Sequence, residues 1–297
     1  MVTDNYHIPV LLNETIDGLN IRSNNKYIDT TIGGGGHTGE ILKRGGTVLG
    51  IDQDDDALEF VKQNLKSQIS NFKLKVARGN FKDLKKIANQ NGFNKVSGVL
   101  FDLGVSSHQL ETAERGFSFN KDAVLDMRMD KELTVSAKEL INGLNEGELY
   151  ELFNKYAETN NSRAIARAII RARTIKPIVS TNELAEILVK AQGKKEKIGR
   201  THPATRIFQA LRIAVNDELN NLKEALPQAV ELLDKKGRIA VLSFHSLEDR
   251  IIKNFFKEMA SDKTLQILNV KPITPTEGEI AINPRSRSAK LRIAIKN

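Results

Sequence analysis

The sequence predicts an α/β protein: a doubly wound, parallel, Rossmann-like sheet whose chain is interrupted by an inserted helical domain. Three observations carry this. Short apolar runs alternate with amphipathic stretches from Lys26 to Ser106, the rhythm gives way after Ser107 to helical periodicity up to about Pro203, and strand-like runs return from Arg238 onward. The chain has 297 residues, longer than the ~100 to 200 typical of one domain, so a large domain or a domain carrying a second is expected.

Each element follows from a local pattern. Tyr27-Ile28-Asp29-Thr30-Thr31 reads as the first strand, followed by a glycine turn and a helix through Ile41 and Leu42. Thr47-Val48-Leu49-Gly50-Ile51 is the second strand, and Ala57 to Leu65 is a helix because Leu58, Val61 and Leu65 recur at helical spacing. Phe72 to Ala77 and Val96 to Phe101 supply the third and fourth strands. Helical patterning then covers Ser136 to Ile141, Glu146 to Tyr156, Ser162 to Arg173 and Thr181 to Ala191, with Thr181 as the expected N-cap of the last. A tract rich in Lys and Gly, Gln192 to Gly199, precedes one long helix from Ala204 to Leu222. Strands return at Arg238 to Phe244, Leu265 to Val270 and Leu291 to Ile295. The economical division is a sheet domain of residues 1–106 and 204–297 holding a helical insertion of residues 107–203, a normal domain size.

Cysteine is absent, which excludes disulfides, a thiolate metal site and a cysteine nucleophile. No metal is expected. The segment from Met1 to Thr15 has neither a basic stretch nor a long apolar one, so no signal peptide, membrane span or membrane partner is expected, and the expected location is cytoplasmic. The net charge of +8 is unevenly placed: residues 160–206 hold 11 basic and 3 acidic side chains, residues 235–297 hold 13 and 6, and the remainder is acidic. Clustered Lys and Arg bind polyanions by releasing counterions, whereas the competing reading is an ordinary solvated surface.

Gly33-Gly34-Gly35-Gly36-His37-Thr38-Gly39 lies between the first strand and its helix, where glycines allow a tight turn and a close approach of ligand to backbone. Asp52 ends the second strand, at the spacing of an acid that binds ribose hydroxyls. Gly34, Gly36 and Gly39 satisfy G-x-G-x-x-G, so a nicotinamide dinucleotide and an oxidoreductase remain open. S-adenosylmethionine fits as well, since its carboxylate suits a helix N-terminus and its cationic groups suit acids such as Asp29 and Asp102 at the carboxyl ends of strands. Two acids suit a cation better than a pyrophosphate.

Longer motifs are more specific. Phe101-Asp102-Leu103-Gly104-Val105-Ser106-Ser107 is followed by Arg115-Gly116-Phe117-Ser118-Phe119 and Asp126-Met127-Arg128-Met129-Asp130. Later come His202-Pro203-Ala204-Thr205-Arg206-Ile207-Phe208-Gln209-Ala210-Leu211-Arg212, Ser243-Phe244-His245-Ser246-Leu247-Glu248-Asp249-Arg250 and Asn283-Pro284-Arg285-Ser286-Arg287-Ser288. Together, over almost the whole chain, these resemble the MraW/RsmH family, bacterial enzymes that use S-adenosylmethionine to methylate N4 of a cytidine in the decoding region of 16S ribosomal RNA. The resemblance implies a class I S-adenosylmethionine-dependent methyltransferase sheet, 16S ribosomal RNA in the small subunit as partner, and cofactor contacts at Gly35, Gly36, His37, Asp52, Phe81, Asp102 and Gln109. His108, Ile32, Gly34 and the pair Ala123-Val124 depart from the family's usual residues without removing a named contact. A non-catalytic RNA-binding assembly factor is the remaining alternative, which intact Gly35, Asp52 and Asp102 oppose.

A cytosine amine is a poor nucleophile, because its lone pair is delocalised into the ring, and aligning it with the methyl group supplies up to ~7 to 11 kcal/mol. Asp102 is the expected catalytic group, accepting a hydrogen bond from the amine; the competing reading is that it only holds the cofactor. Phe117 and Phe119 are candidates to stack on an extruded base, or else core residues. Asp126, Arg128 and Asp130 read most simply as ion pairs or caps, and His245 either lines the pocket or bonds locally. Arg163, Arg167 and Arg171 recur at i, i+4, which predicts RNA contact unless Glu158 or another acid pairs with them. The basic tail, Arg285, Arg287, Lys290 and Arg292, is a second candidate surface.

Overall fold

The structure, a computed structural model, describes residues 8–193 and 202–297; Met1 to His7 and most of the Lys- and Gly-rich tract lie outside the described residues. The described chain forms two compact units, one made of the residues up to Ser106 together with Leu219–Asn297, the other of Ser107–Glu218. Among the described residues no helix is long and apolar enough to cross a membrane.

In chain order the elements are α1 (Leu12–Leu19), β1 (Lys26–Asp29), α2 (Gly36–Lys43), β2 (Thr47–Asp52), α3 (Asp55–Asn64), α4 (Lys66–Ser70), β3 (Leu74–Arg78), α5 (Leu84–Gln90) and β4 (Val96–Asp102). Next come α6 (Ser107–Glu111), α7 (Ala137–Gly143), α8 (Glu146–Tyr156), α9 (Ser162–Ile175), α10 (Thr181–Gln192) and α11 (Thr205–Asn216). The chain closes with α12 (Glu218–Leu232), β5 (Leu233–Ser243), α13 (Ser246–Ser261), β6 (Leu265–Ile267), α14 (Glu277–Ile282) and β7 (Lys290–Lys296).

In the first unit the strands form one seven-stranded sheet in the order β3-β2-β1-β4-β5-β7-β6. Strands β1 to β5 are parallel, and β7 is antiparallel to both β5 and β6. Alternate side chains of a strand point to opposite faces, and both faces here are apolar. Ile28, Leu49, Ile51, Val99, Phe101, Ile239 and Val241 pack on one side with residues of α5, α12 and α13. Tyr27, Val48, Leu100, Ala240 and Leu242 pack on the other with residues of α1, α2 and α3. The result is the doubly wound, Rossmann-like sheet expected from the sequence. Because β1 has β2 on one side and β4 on the other, the topological switch point falls between β1 and β4, where open α/β sheets bind ligands beyond the carboxyl ends of their strands.

The second unit is helical, with α9 packed against α8 and α10, and α11 against α7 and α8. Its long irregular stretch before α7 is pinned by buried polar groups. Arg115 donates to the Arg128 and Met129 carbonyls, and the Asn216 amide donates to the Met127 carbonyl while accepting from the Met129 N–H. Gly116 has φ +68°, and a Cβ there would run into the Val124 carbonyl, so the turn before Phe117 admits only glycine without a backbone shift.

Several expectations are corrected. The single helix from Ala204 to Leu222 is two: Asp217, at φ +49°, ends α11, and α12 restarts at Glu218. Apolar residues continue across this break, so periodicity alone does not reveal it. Ile207, Phe208, Leu211 and Ile213 are buried on α11, which packs within the helical unit, so that unit runs to Glu218 rather than to 203. The N-cap of α10 is Ser180, whose hydroxyl accepts from the Glu183 N–H at 3.3 Å. Thr181 is buried instead, donating to the Lys121 carbonyl. Strand β3 starts at Leu74, because Phe72 sits at φ +57° and is 82% exposed.

Candidate active site

The carboxyl ends of β1, β2 and β4 carry Asp29, Asp52 and Asp102. Between β1 and α2 the chain turns through Gly33 (φ +49°) and Gly35 (φ +78°), conformations that favour glycine. At Gly36 the constraint is different and milder: a Cβ there would lie 3.0 to 3.2 Å from the Pro9 ring, which would have to give by a few tenths of an ångström. A Cβ on Gly39, in contrast, would meet nothing within 4 Å. The third glycine of the dinucleotide pattern serves close helix-to-strand packing, so the feature that kept a nicotinamide cofactor open has no structural counterpart here.

Asp52 joins the glycine turn to the end of β2. Its Oδ2 accepts from the Gly33 N–H at 2.9 Å and its Oδ1 from the Asp54 N–H at 3.0 Å. The spacing between glycine and acid therefore reflects a direct bond, a role that sequence reasoning missed. Each oxygen keeps a further lone pair for a ligand donor. Burial pushes the Asp52 carboxyl up to about 6, against the pull of these two N–H groups.

Asp29 is buried, accepting from the Thr38 hydroxyl at 2.7 Å and from the Thr31 N–H at 3.2 Å. Burial raises its pKa, with His37 opposing. The Thr31 hydroxyl accepts from the Asp102 N–H at 2.7 Å, lacing the tip of β4 to the loop after β1. His37, in the first turn of α2, has Nε2 3.2 Å from the Val10 carbonyl oxygen and Nδ1 3.4 Å from Asp102 Oδ2. The alternative in which His37 caps its helix is set aside, since the N-cap is Gly35. Phe81 opens a short 3-10 turn after β3 and stands edge-on to Phe101, with ring centroids 5.9 Å apart at 77°.

The first unit thus brings together Gly35, Gly36, His37, Asp52 and Asp102, with Phe81 after the neighbouring strand β3. The polar side chains converging there are three carboxylates and one imidazole, a set that suits a cationic ribonucleoside and opposes a pyrophosphate.

Gln109, buried in α6, belongs to the second unit. In that unit Phe117 is 7% exposed with the Arg115 guanidinium 5.9 Å over its ring, so it is a core residue and the expectation of base stacking is corrected. Phe119 is half-buried and lies 4.5 Å from the His202 ring and 4.9 Å from Phe208, an aromatic cluster whose partners come from a distant motif. Arg163, Arg167 and Arg171 are exposed along α9. Arg163 lies 5.0 Å over the Tyr150 ring, and Arg167 pairs with Glu146 at 3.0 Å, so an acid other than Glu158 relieves part of the repulsion.

Three further candidates of the first unit have partners within it. Arg292 is buried and bonds Asp249 at 2.6 Å, which removes it from the expected basic surface, whereas Lys290, 3.3 Å from the same carboxylate, stays part-exposed and Arg285 and Arg287 are exposed. The His245 ring accepts from the Glu248 N–H as the N-cap of α13, the local bonding alternative. Asp126 and Arg128 form the expected ion pair at 2.7 Å.

A family model described as the MraW methylase family matches residues 4–297. The protein named ribosomal RNA small subunit methyltransferase H of Clostridioides difficile is 44% identical over 309 residues, covering 98% of this chain and 99% of that protein. Proteins of the same name from Carboxydothermus hydrogenoformans and Heliobacterium mobile are 45% and 44% identical, covering 98% of this chain and 97% and 99% of their own lengths.

Proposed function

The chain belongs to the MraW methylase family and is an S-adenosylmethionine-dependent ribosomal RNA methyltransferase, and from that premise we propose that its acceptor is the exocyclic N4 amine of a cytidine in the decoding region of 16S ribosomal RNA, within the small subunit and in the cytoplasm. The observation that supports this most directly is Asp102 at the tip of β4, tied to Thr31 and His37 beside the switch point. Without cysteine, a covalent thiolate adduct of a pyrimidine ring is not available, so the acceptor must itself be nucleophilic.

When bound, the cofactor supplies an electrophilic methyl group on a sulfonium. Asp52 would accept from ribose hydroxyls, the turn at Gly35, Gly36 and His37 would receive the ligand along its backbone, Phe81 would offer a face for adenine, and the family resemblance adds Gln109. Asp102 accepts a hydrogen bond from the amine, aims its lone pair, and takes up charge as the nitrogen becomes cationic. Phe119 is the remaining aromatic candidate to stack on an extruded base, an interaction worth ~1 to 3 kcal/mol.

The exposed face of α9 offers Arg163 and Arg171 to the phosphate backbone, and Arg167 by exchanging its Glu146 partner for phosphate. Reversing charge at Arg167 and Arg171 is expected to weaken RNA binding and to reduce the slope of log affinity against log salt by about 1 to 2, checked by filter binding across a salt series. Unchanged affinity and slope would remove this surface.

The test of the reaction is nucleoside mass spectrometry of 16S ribosomal RNA from small subunits incubated with the protein and a labelled methyl donor. Label is expected in N4-methylcytidine from the decoding region. Label in another nucleoside, or none in the small subunit, refutes the proposed acceptor.

A further inference from the structure

The His37 ring is 4% exposed, and both of its nitrogens face groups of its own unit. A carbonyl oxygen only accepts, so Nε2, beside the Val10 carbonyl, carries a hydrogen. A carboxylate also only accepts, so a neutral ring would set the Nδ1 lone pair against Asp102 Oδ2. An imidazolium, hydrogen-bonded to Val10 through Nε2 and ion-paired with Asp102 at 3.4 Å through Nδ1, satisfies both contacts. The charged groups acting on it are Asp102 from β4 and Asp29 from β1, the latter also held by Thr38. Burial works against a charged ring, but the two carboxylates outweigh it and leave the His37 pKa above its ordinary value.

Resting on the reading of Asp102 as the group that receives the amine proton, we propose that His37 is a positioning residue for methyl transfer: its Nδ1–H fixes the rotation of the Asp102 carboxylate, and its charge keeps that carboxylate ionised and accepting. As the N4–methyl bond forms from the nitrogen lone pair, the methyl–sulfur bond breaks with its electron pair left on sulfur. One N4–H bond then returns its electrons to nitrogen, and the proton passes to Asp102 and on to solvent water. His37 keeps both of its hydrogens throughout, because the Val10 carbonyl and Asp102 each hold one. The side chain thus acts through Asp102 and leaves cofactor binding at this position to the backbone.

Two amide variants separate these roles. H37Q places an amide nitrogen near the position of Nε2, keeping the Val10 bond and losing Asp102, whereas H37N places one near Nδ1 and restores a neutral donor to Asp102. H37Q is expected to lower kcat about 100-fold, with cofactor Kd and RNA KM within about threefold of the wild type. H37N is expected to recover kcat to within about tenfold of the wild type, with the acid limb of its kcat profile moved to higher pH because Asp102 has lost a cationic neighbour. The double variant H37Q/D102N should be no slower than D102N. A wild-type kcat and pH profile in H37Q, additive losses in the double variant, or lost cofactor affinity with kcat intact each overturn the proposal. If H37Q does not fold, the H37N profile decides: an unmoved acid limb overturns the proposal. Full turnover in D102N would overturn the reading of Asp102 itself, whereas a slow D102N beside a normal H37Q overturns only the role of His37.

Discussion

Asp102→Asn is expected to cut the single-turnover rate of methyl transfer at saturating cofactor and RNA by at least ~100-fold. The replacement has the shape of the original and leaves the backbone N–H bond to Thr31 untouched, so the β4 tip keeps its place. The amide cannot take a proton, and whichever end faces the amine, the negative charge that stabilises a developing ammonium is gone. His37 meanwhile loses the nearer of its two carboxylates, so its pKa falls and the imidazolium is no longer favoured. Rapid-quench measurement of methyl incorporation, with cofactor binding followed separately by calorimetry, distinguishes the two roles of Asp102. Lost affinity with an intact saturated rate would make Asp102 a cofactor ligand and nothing more.

Asp52→Asn is expected to weaken cofactor binding by about tenfold to a hundredfold, because each hydrogen bond from a ribose hydroxyl to a carboxylate is worth ~1.5 to 3 kcal/mol and one acceptor is lost. The pH dependence follows from the carboxyl titrating at about 6. Only the ionised form accepts at both oxygens while also holding Gly33 and Asp54, so wild-type affinity should rise with pH through about 6 and level off above it, whereas the Asn variant should stay flat. Stability of the ligand-free protein runs the other way. Below the ordinary carboxyl value both folded and unfolded chains hold the proton; between that value and about 6 the unfolded chain releases it first, so stability falls as pH rises and the loss is complete above about 6. The rise from the ordinary carboxyl value to about 6 caps that loss at ~3 kcal/mol, reduced by water in the crevice and, in the variant, by the amide's missing acceptor. The stability advantage of Asp52→Asn should therefore be largest near pH 8 and vanish near pH 4, read from denaturant midpoints. Binding that is independent of pH in both proteins would remove Asp52 from the ribose site.

What a chain writes locally was legible here. The alternation of Tyr27 and Ile28, or of Val48 and Leu49, already divides the sheet into two buried faces, since side-chain direction along a strand has a period of two whatever lies beyond it. The glycine turn and Asp52 could be found because both flank strands whose ends are visible in the pattern, and the long motifs carried the family. Pairings between distant segments could not be read this way. That His37 faces Asp102, that Asp249 absorbs Lys290 and Arg292, and that Arg115 covers a buried Phe117 all depend on sheet register and helix placement, which no window of neighbouring residues contains. The break at Asp217 belongs to the same class: apolar spacing specifies which face of a helix is buried, while where the helix stops and which unit it joins are settled by the packing of α11 on α7 and α8.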